Sequence, residues 1–84
     1  MREAILNIGM LWFDDDSRRG ILERIARAAT YYAEKYGQAP TLCLLNPTTA
    51  GEGLPERHDS LVLRTSPGVL RGHFWLGMED VPTA

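Results

Sequence analysis

Residues 17–37 contain the clearest structural signal in this chain, SRRGILERIARAATYYAEKYG. The apolar residues recur every three or four positions, which is the period of a helix with one buried face. Asp16 or Ser17 can cap the amino end, and Gly37 suits the left-handed position that ends many helices. The pattern therefore predicts an amphipathic helix over residues 17–36. The residues expected to face the core are Ile21, Leu22, Ile25, Ala29 and Tyr32.

Apolar segments on both sides of this helix predict two strands. Residues 4–13 alternate with a period of two and are largely apolar on both faces, and residues 41–46 form a short apolar run between two prolines. A strand, a helix and a second strand form a crossover unit whose strands run parallel without having to be neighbours. The strand residues expected to meet the helix are Leu6, Ile8, Leu42 or Leu44.

The second half of the chain predicts two further strands around a tight turn. Pro67 and Gly68 stand at the second and third positions expected of a type II turn. The predicted segments are a long loop at 47–60, a strand at 61–66, the turn at 66–68, a last strand at 69–78 and a frayed tail at 79–84.

Together these elements predict a single α+β domain over residues 1–84. It is a two-layer sandwich of order β-α-β-β-β, with one helix packed on a four-stranded mixed sheet. Because one helix covers only one face, the other face is expected to expose apolar side chains such as Trp75 or Phe74. Exposed apolar patches usually mark partner surfaces, so a homo-oligomer or another protein partner is expected. In the alternative interpretation the 47–60 loop folds over that face, with Leu54 as its anchor.

Composition narrows the class of protein. The 84 residues are 44% hydrophobic and 24% charged, which is typical of a globular domain and excludes a disordered chain. The net charge of −2 disfavours a free-standing nucleic-acid binder. A single cysteine, Cys43, excludes an internal disulfide and a multi-cysteine metal site. With no apolar run near the ~20 residues that cross a bilayer and no secretory leader, we expect a cytoplasmic location and no membrane partner.

The run Asp14-Asp15-Asp16 follows the first strand. If the third strand runs antiparallel to the second, eight of the eleven acidic residues share one end of the molecule. Carboxylates there could bind Mg²⁺, with Asp14 and either Asp16 or Asp59 as ligands. Alternatively, the aspartates end the strand and favour the positive end of the helix, and no cofactor is bound. The eight acidic residues are Asp14, Asp15, Asp16, Glu52, Glu56, Asp59, Glu79 and Asp80.

Candidate contact residues lie on the helix and on the last strand. The helical period brings basic residues and Tyr31 together opposite the core face, a composition found in nucleic-acid contacts, in protein hot spots and on simple solvated faces. On the last strand, His73 and Trp75 are expected to contact a partner. The candidates are Arg24, Arg27, Tyr31, Lys35, His73 and Trp75.

One resemblance concerns the first half of the chain. The first strand ends Leu-Trp-Phe-Asp, and the arginine-rich helix that follows ends at Lys35-Tyr36-Gly37. This resembles the opening of the small Cas2-like nucleases and scaffolds of ferredoxin fold, over about the first 46 residues. The resemblance implies a metal-binding Asp14 at a dimer interface. The second half departs from it, since the long loop replaces the second helix of the repeat.

No catalytic arrangement is evident along the sequence. His58 stands beside Asp59 and could act as a base or a ligand, or could be a solvated loop residue. No nucleophile has a matching pattern, and no glycine-rich phosphate loop or spaced histidine pair is present. The sequence therefore predicts a non-enzymatic protein-interaction module. The alternative is a Cas2-like metal-dependent nuclease or nucleic-acid scaffold.

Overall fold

The helix predicted from the sequence is present in the computed structural model, which describes residues 9–79. This helix, α1, spans Ile21–Tyr36. It ends as expected, because Gly37 adopts a left-handed conformation with a φ of 80° and its N–H donates to the carbonyl of Ala33 at 2.8 Å.

The beginning of α1 differs from the expectation. Gly20 is the residue that precedes the first turn, and no side chain caps it, so the predicted cap by Asp16 or Ser17 is wrong. The Asp16 carboxylate instead accepts a hydrogen bond from the backbone N–H of Arg18 at 3.0 Å. This local bond holds residues 16–18 in a turn, and the helix therefore begins at Ile21.

The sheet contains five strands rather than the predicted four. Their order across the sheet is β1-β5-β2-β4-β3; β2 and β4 are parallel, and every other neighbouring pair is antiparallel. The mixed sheet with a helix on it, and hence the α+β class, is confirmed. The strands are β1 (Gly9–Phe13), β2 (Leu42–Leu45), β3 (Arg57–His58), β4 (Leu61–Thr65) and β5 (His73–Gly77).

The additional strand lies in the segment predicted as a loop. Residues 47–60 contain a one-turn helix, α2 (Pro47–Ala50), and the two-residue strand β3. The side chain of Asn46 caps α2 by accepting from the N–H of Thr48 at 2.8 Å. Leu54 packs against the core on the helix side, so the interpretation in which it covers the opposite face is wrong.

The core lies between α1 and one face of the sheet. From α1 it takes Ile25, Ala28 and Tyr32, while Ile21, Leu22 and Ala29 pack at its margin. The expected contacts of Leu42 and Leu44 with the helix are wrong, because Cys43 and Leu45 are the fully buried residues of β2. Leu6 and Ile8 lie outside the described residues. The strands contribute Met10, Cys43, Leu45, Leu61, Leu63, Phe74 and Leu76 to the core.

The segment before β5 is a turn rather than strand. The N–H of Val69 donates to the carbonyl of Ser66 at 3.1 Å, which closes a turn over 66–69, and β5 begins only at His73. Gly68 is not among the glycines with positive φ in the described chain, so this is not the type II turn expected.

The direction of β4 changes which groups share an edge of the sheet. Since β4 runs parallel to β2, β5 returns toward the start of β2, and Glu79 follows it there. Asp14 lies at the other end, where its N–H donates to the carbonyl of Gly72 just before β5. The expected gathering of acidic residues at one end is therefore wrong for the described residues, and Asp80 lies outside them. Within residues 9–79 no helix is long and apolar enough to cross a membrane.

Candidate interaction surface

The face of the sheet turned away from α1, here called the open face, carries a group of exposed apolar side chains. Leu11 and Phe13 of β1 are 60% and 58% exposed, and Leu70 from the following turn is 69% exposed. Leu44 and Trp75 lie among them, half-buried. No helix or loop of residues 9–79 packs over this group, which we call the apolar face cluster: Leu11, Phe13, Leu44, Leu70 and Trp75.

The Trp75 side chain lies across β1 on this face. Trp75 is the register partner of Leu11, and its indole reaches diagonally over Gly9. A Cβ at position 9 would stand 2.3 Å from Trp75 Cζ2, so only glycine leaves room for the ring. Gly9 thus allows the indole to lie close against the backbone of β1, on the part of the open face near this edge strand.

His73 borders the same cluster. Its ring lies 4.9 Å from that of Phe13, its register partner on β1, and its Nδ1 is 3.1 Å from the carbonyl of Arg71. Two of the candidate contact residues, His73 and Trp75, are therefore on the open face together.

The open face becomes charged toward β3. Arg57, Val62 and Arg64 alternate with the core residues of β3 and β4, and the Arg64 guanidinium pairs with the carboxylate of Glu79 at 2.8 Å. The face is therefore divided into an apolar half near β1 and a charged half near β3.

Only some of the candidate contact residues on α1 lie close together. Tyr31 packs its ring 4.9 Å from that of Trp12 and shares a shallow groove with Arg27. Lys35 lies over the ring of Tyr36 instead, with 5.5 Å from its Nζ to the centroid.

Arg24 is turned away from that group. Its Nη1 donates to the carbonyl of Asp14 at 3.1 Å, and its Nε is buried with no partner among the described residues. Arg24 thus ties α1 to the end of β1 rather than facing outward with Arg27 and Tyr31.

In the aspartate loop, residues 14–16, the carboxylates of Asp14 and Asp16 have hydrogen-bond and ion-pair partners close by in the sequence. Asp14 Oδ1 accepts from the N–H of Asp16 at 3.0 Å. The Asp16 carboxylate pairs with Arg18 at 3.0 Å and with Arg19 at 2.9 Å. The side-chain hydrogen bond from Arg18 is the main reason why the pKa of Asp16 lies below its ordinary value.

Asp59 is not brought near that loop. It occupies the turn between β3 and β4, beside the start of β4 and therefore at the opposite end of the sheet from Asp14. Its Oδ2 lies 4.0 Å from His58 Nε2. Among residues 9–79 no group of three or more His, Cys, Asp or Glu side chains could hold a metal ion.

His58 and Asp59 also line a shallow groove beside α1, whose walls are mainly Ala26, Ala29 and Ala33. Ser60 lies there too, but no hydrogen bond joins it to His58 in the part of the chain that the structure describes.

Comparison with protein-family models, with curated proteins and with solved structures gives no match for this chain. The Cas2-like features therefore remain a resemblance of the first strand and helix.

Sequence reasoning did not include four members of the apolar face cluster among the candidate contact residues. Leu11 and Phe13 could have been found, because they alternate with Met10 and Trp12 along β1. Leu70 stands in a stretch that was predicted as strand. Leu44 belongs to an apolar run of four residues without alternation, so the sequence does not show which face of β2 carries its side chain.

Proposed function

We propose that this chain is a non-enzymatic protein-interaction module that associates with itself through the apolar face cluster. The single observation that carries the proposal is the exposure of Leu11, Phe13 and Leu70 around Trp75 on one face of the sheet. Scattered exposed leucines are ordinary on a protein surface, whereas a contiguous apolar group on a sheet face is typical of an interaction site.

The distribution of charge on the open face supports the same proposal. Stable interfaces have a core depleted of charged residues and a polar rim. The cluster around Trp75 would form such a core, and the ion pair between Arg64 and Glu79 would form part of the rim. With a net charge of only −2, two copies of the chain repel each other weakly at physiological ionic strength.

Two matched variants test the proposal. Phe13 and Tyr31 are aromatic residues of similar exposure, 58% and 47%, on opposite faces of the molecule. Phe13→Glu places a charge in the apolar face cluster, and Tyr31→Glu places the same charge on the outer side of α1. Sedimentation velocity over a range of concentrations, with circular dichroism to confirm folding, measures the effect of each.

We expect the wild-type chain and Tyr31→Glu to associate and Phe13→Glu to be monomeric. A wild-type chain that stays monomeric at every concentration would contradict self-association. Loss of association in Tyr31→Glu alone would transfer the contact surface to the side of α1 that carries Arg27.

A further inference from the structure

The outer edge of β1 presents a regular row of backbone hydrogen-bonding groups. In the described chain β1 pairs only with β5. The N–H of Asp14 points at β5, where it donates to Gly72, and in an antiparallel pair the direction alternates from one residue to the next. The backbone groups of Met10 and Trp12 therefore point at β5, and those of Gly9, Leu11 and Phe13 point away from it.

The two edges of the sheet differ in how well they are protected from pairing with a strand of another molecule. The opposite edge, β3, is only two residues long, contains Arg57 and lies between Pro55 and Asp59. Short length, charge and proline are the features that keep sheet edges from pairing. The sequence of β1, GMLWF, has five residues and contains neither a charge nor a proline.

We propose that β1 pairs antiparallel with β1 of a second copy, about a twofold axis at Leu11, so that the two sheets become continuous. This inference rests on the self-association proposed above and assigns the contact to the edge of β1, which carries Leu11 and Phe13 of the apolar face cluster and leaves Leu70 outside the contact. In this register Leu11 stands opposite Leu11, and Gly9 stands opposite Phe13. In this register every outward N–H and C=O of the described residues 9–13 has a partner.

Side-chain sizes suit the same register. Phe13 of one copy would lie beside Gly9 of the other, which has no side chain and over which Trp75 already lies. The Phe13 ring of one copy would therefore meet the Trp75 indole of the other, and aromatic pairs across neighbouring strands stabilise a sheet. On the open face, the apolar clusters of the two copies would then form one surface.

One described side chain already contacts this edge. The Tyr36 hydroxyl lies 3.5 Å from the carbonyl oxygen of Gly9, at the outer limit of a hydrogen bond. A carbonyl oxygen has two lone pairs, so it can accept from Tyr36 and from a second copy together.

Hydrogen exchange of the wild-type chain tests the pairing directly. We expect the amides of Leu11 and Phe13 to exchange rapidly in dilute solution and to become protected as the chain associates. The amides of Met10 and Trp12, bonded to β5, serve as the internal control and should be protected at both concentrations. Rapid exchange at Leu11 and Phe13 in associated protein would overturn the proposal.

Substitutions at two positions separate this pairing from other modes of association. Leu11→Pro removes an outward N–H without removing a bond to β5, and Leu11→Ala keeps the N–H while shortening the side chain. We expect Leu11→Pro to associate at least about tenfold more weakly than Leu11→Ala, which is about 1.4 kcal/mol. Equal association of these two variants would contradict pairing through the edge.

Leu70→Glu distinguishes failure of this inference from failure of the proposed function. Leu70 lies on the open face but not on β1, so edge pairing leaves association of Leu70→Glu intact. If Leu70→Glu is monomeric while the wild type associates with unprotected Leu11 amides, two open faces pack together. The proposed function then stands and the pairing of β1 is wrong. A wild type that never associates contradicts both.

Discussion

Asp14 and Asp16 show how a cluster of like charges can be accommodated in one short loop. Asp14 accepts from the backbone N–H of Asp16, and Asp16 is paired with two arginines. Because these local partners offset repulsion between the carboxylates, we expect the loop to be stable without a cation.

We therefore expect Asp14→Asn to change the free energy of unfolding by less than about 1 kcal/mol, the scale of a charge at a helix end. The asparagine side-chain oxygen can accept the same bond from Asp16. Thermal melts of the wild type and the variant, with and without Mg²⁺ or Mn²⁺, should coincide. A rise in the wild-type melting temperature with metal that is lost in the variant would favour a metal site and the nuclease alternative.

Asp16→Asn is the comparison variant for the same melts. The pKa of Asp16 is lowered in the folded chain, so its pairs with arginine stabilise the fold at neutral pH and lose this effect as the pH falls through that lowered pKa. Asp16→Asn should therefore reduce the sensitivity of the fold to acid.

We expect the Cys43 thiol to be unreactive toward thiol reagents in the folded chain. Its side chain is fully buried in β2, and burial raises the pKa of the thiol to about 12 from an ordinary value of 9.0. At pH 8 a thiol reagent should react with the native protein only as fast as the core opens, and at full rate in denaturant. Fast labelling of the native chain would contradict the burial of Cys43.

The raised pKa of the Cys43 thiol also predicts how the stability of the fold changes at alkaline pH. The thiol ionises at a lower pH in the unfolded chain than in the folded one. The contribution of Cys43 to the free energy of unfolding is therefore complete below about pH 9 and is lost as the pH rises toward 12. Cys43→Ala should remove this part of the alkaline dependence.

Among the elements, α1 is packed on the sheet through three buried residues, Ile25, Ala28 and Tyr32. Ile25 is fully buried between α1 and the sheet. We expect Ile25→Ala to lower the free energy of unfolding by ~2–5 kcal/mol, measured by denaturant titration. Thr30→Ala, an exposed change on the same helix, is the control and should stay within about 0.5 kcal/mol. A midpoint for Ile25→Ala equal to that of Thr30→Ala would mean that α1 packs on another face.

The elements also show where sequence reasoning succeeds and where it does not. The period of α1 and its end at Gly37 follow from local patterns, and both were predicted correctly. The start of α1 depends on whether Asp16 bonds to the turn or to the helix, which local preference does not decide. A two-residue strand such as β3 has no period to detect, because only its partner β4 defines it.

At the scale of the whole molecule, strand order lies beyond the sequence pattern. The placement of β5 between β1 and β2 is set by packing among distant segments. The direction of β4, parallel to β2, places Asp59 at the end of the sheet opposite Asp14, and so separates two of the residues predicted as metal ligands. The open apolar face was predicted, because it needs only the count of helices and the alternation of β1. Of the two side chains expected on it, Trp75 lies there, whereas Phe74 is fully buried in the core.

The same strand order has a consequence for synthesis of the chain. The only described neighbour of β1 is β5, and Gly9 pairs with Gly77. At ~5–20 residues per second, the ribosome takes about 3–13 seconds to make the intervening chain. During this interval β1 lacks the strand with which it pairs, so the apolar run GMLWF is open to chaperones and to neighbouring nascent chains on the same messenger RNA.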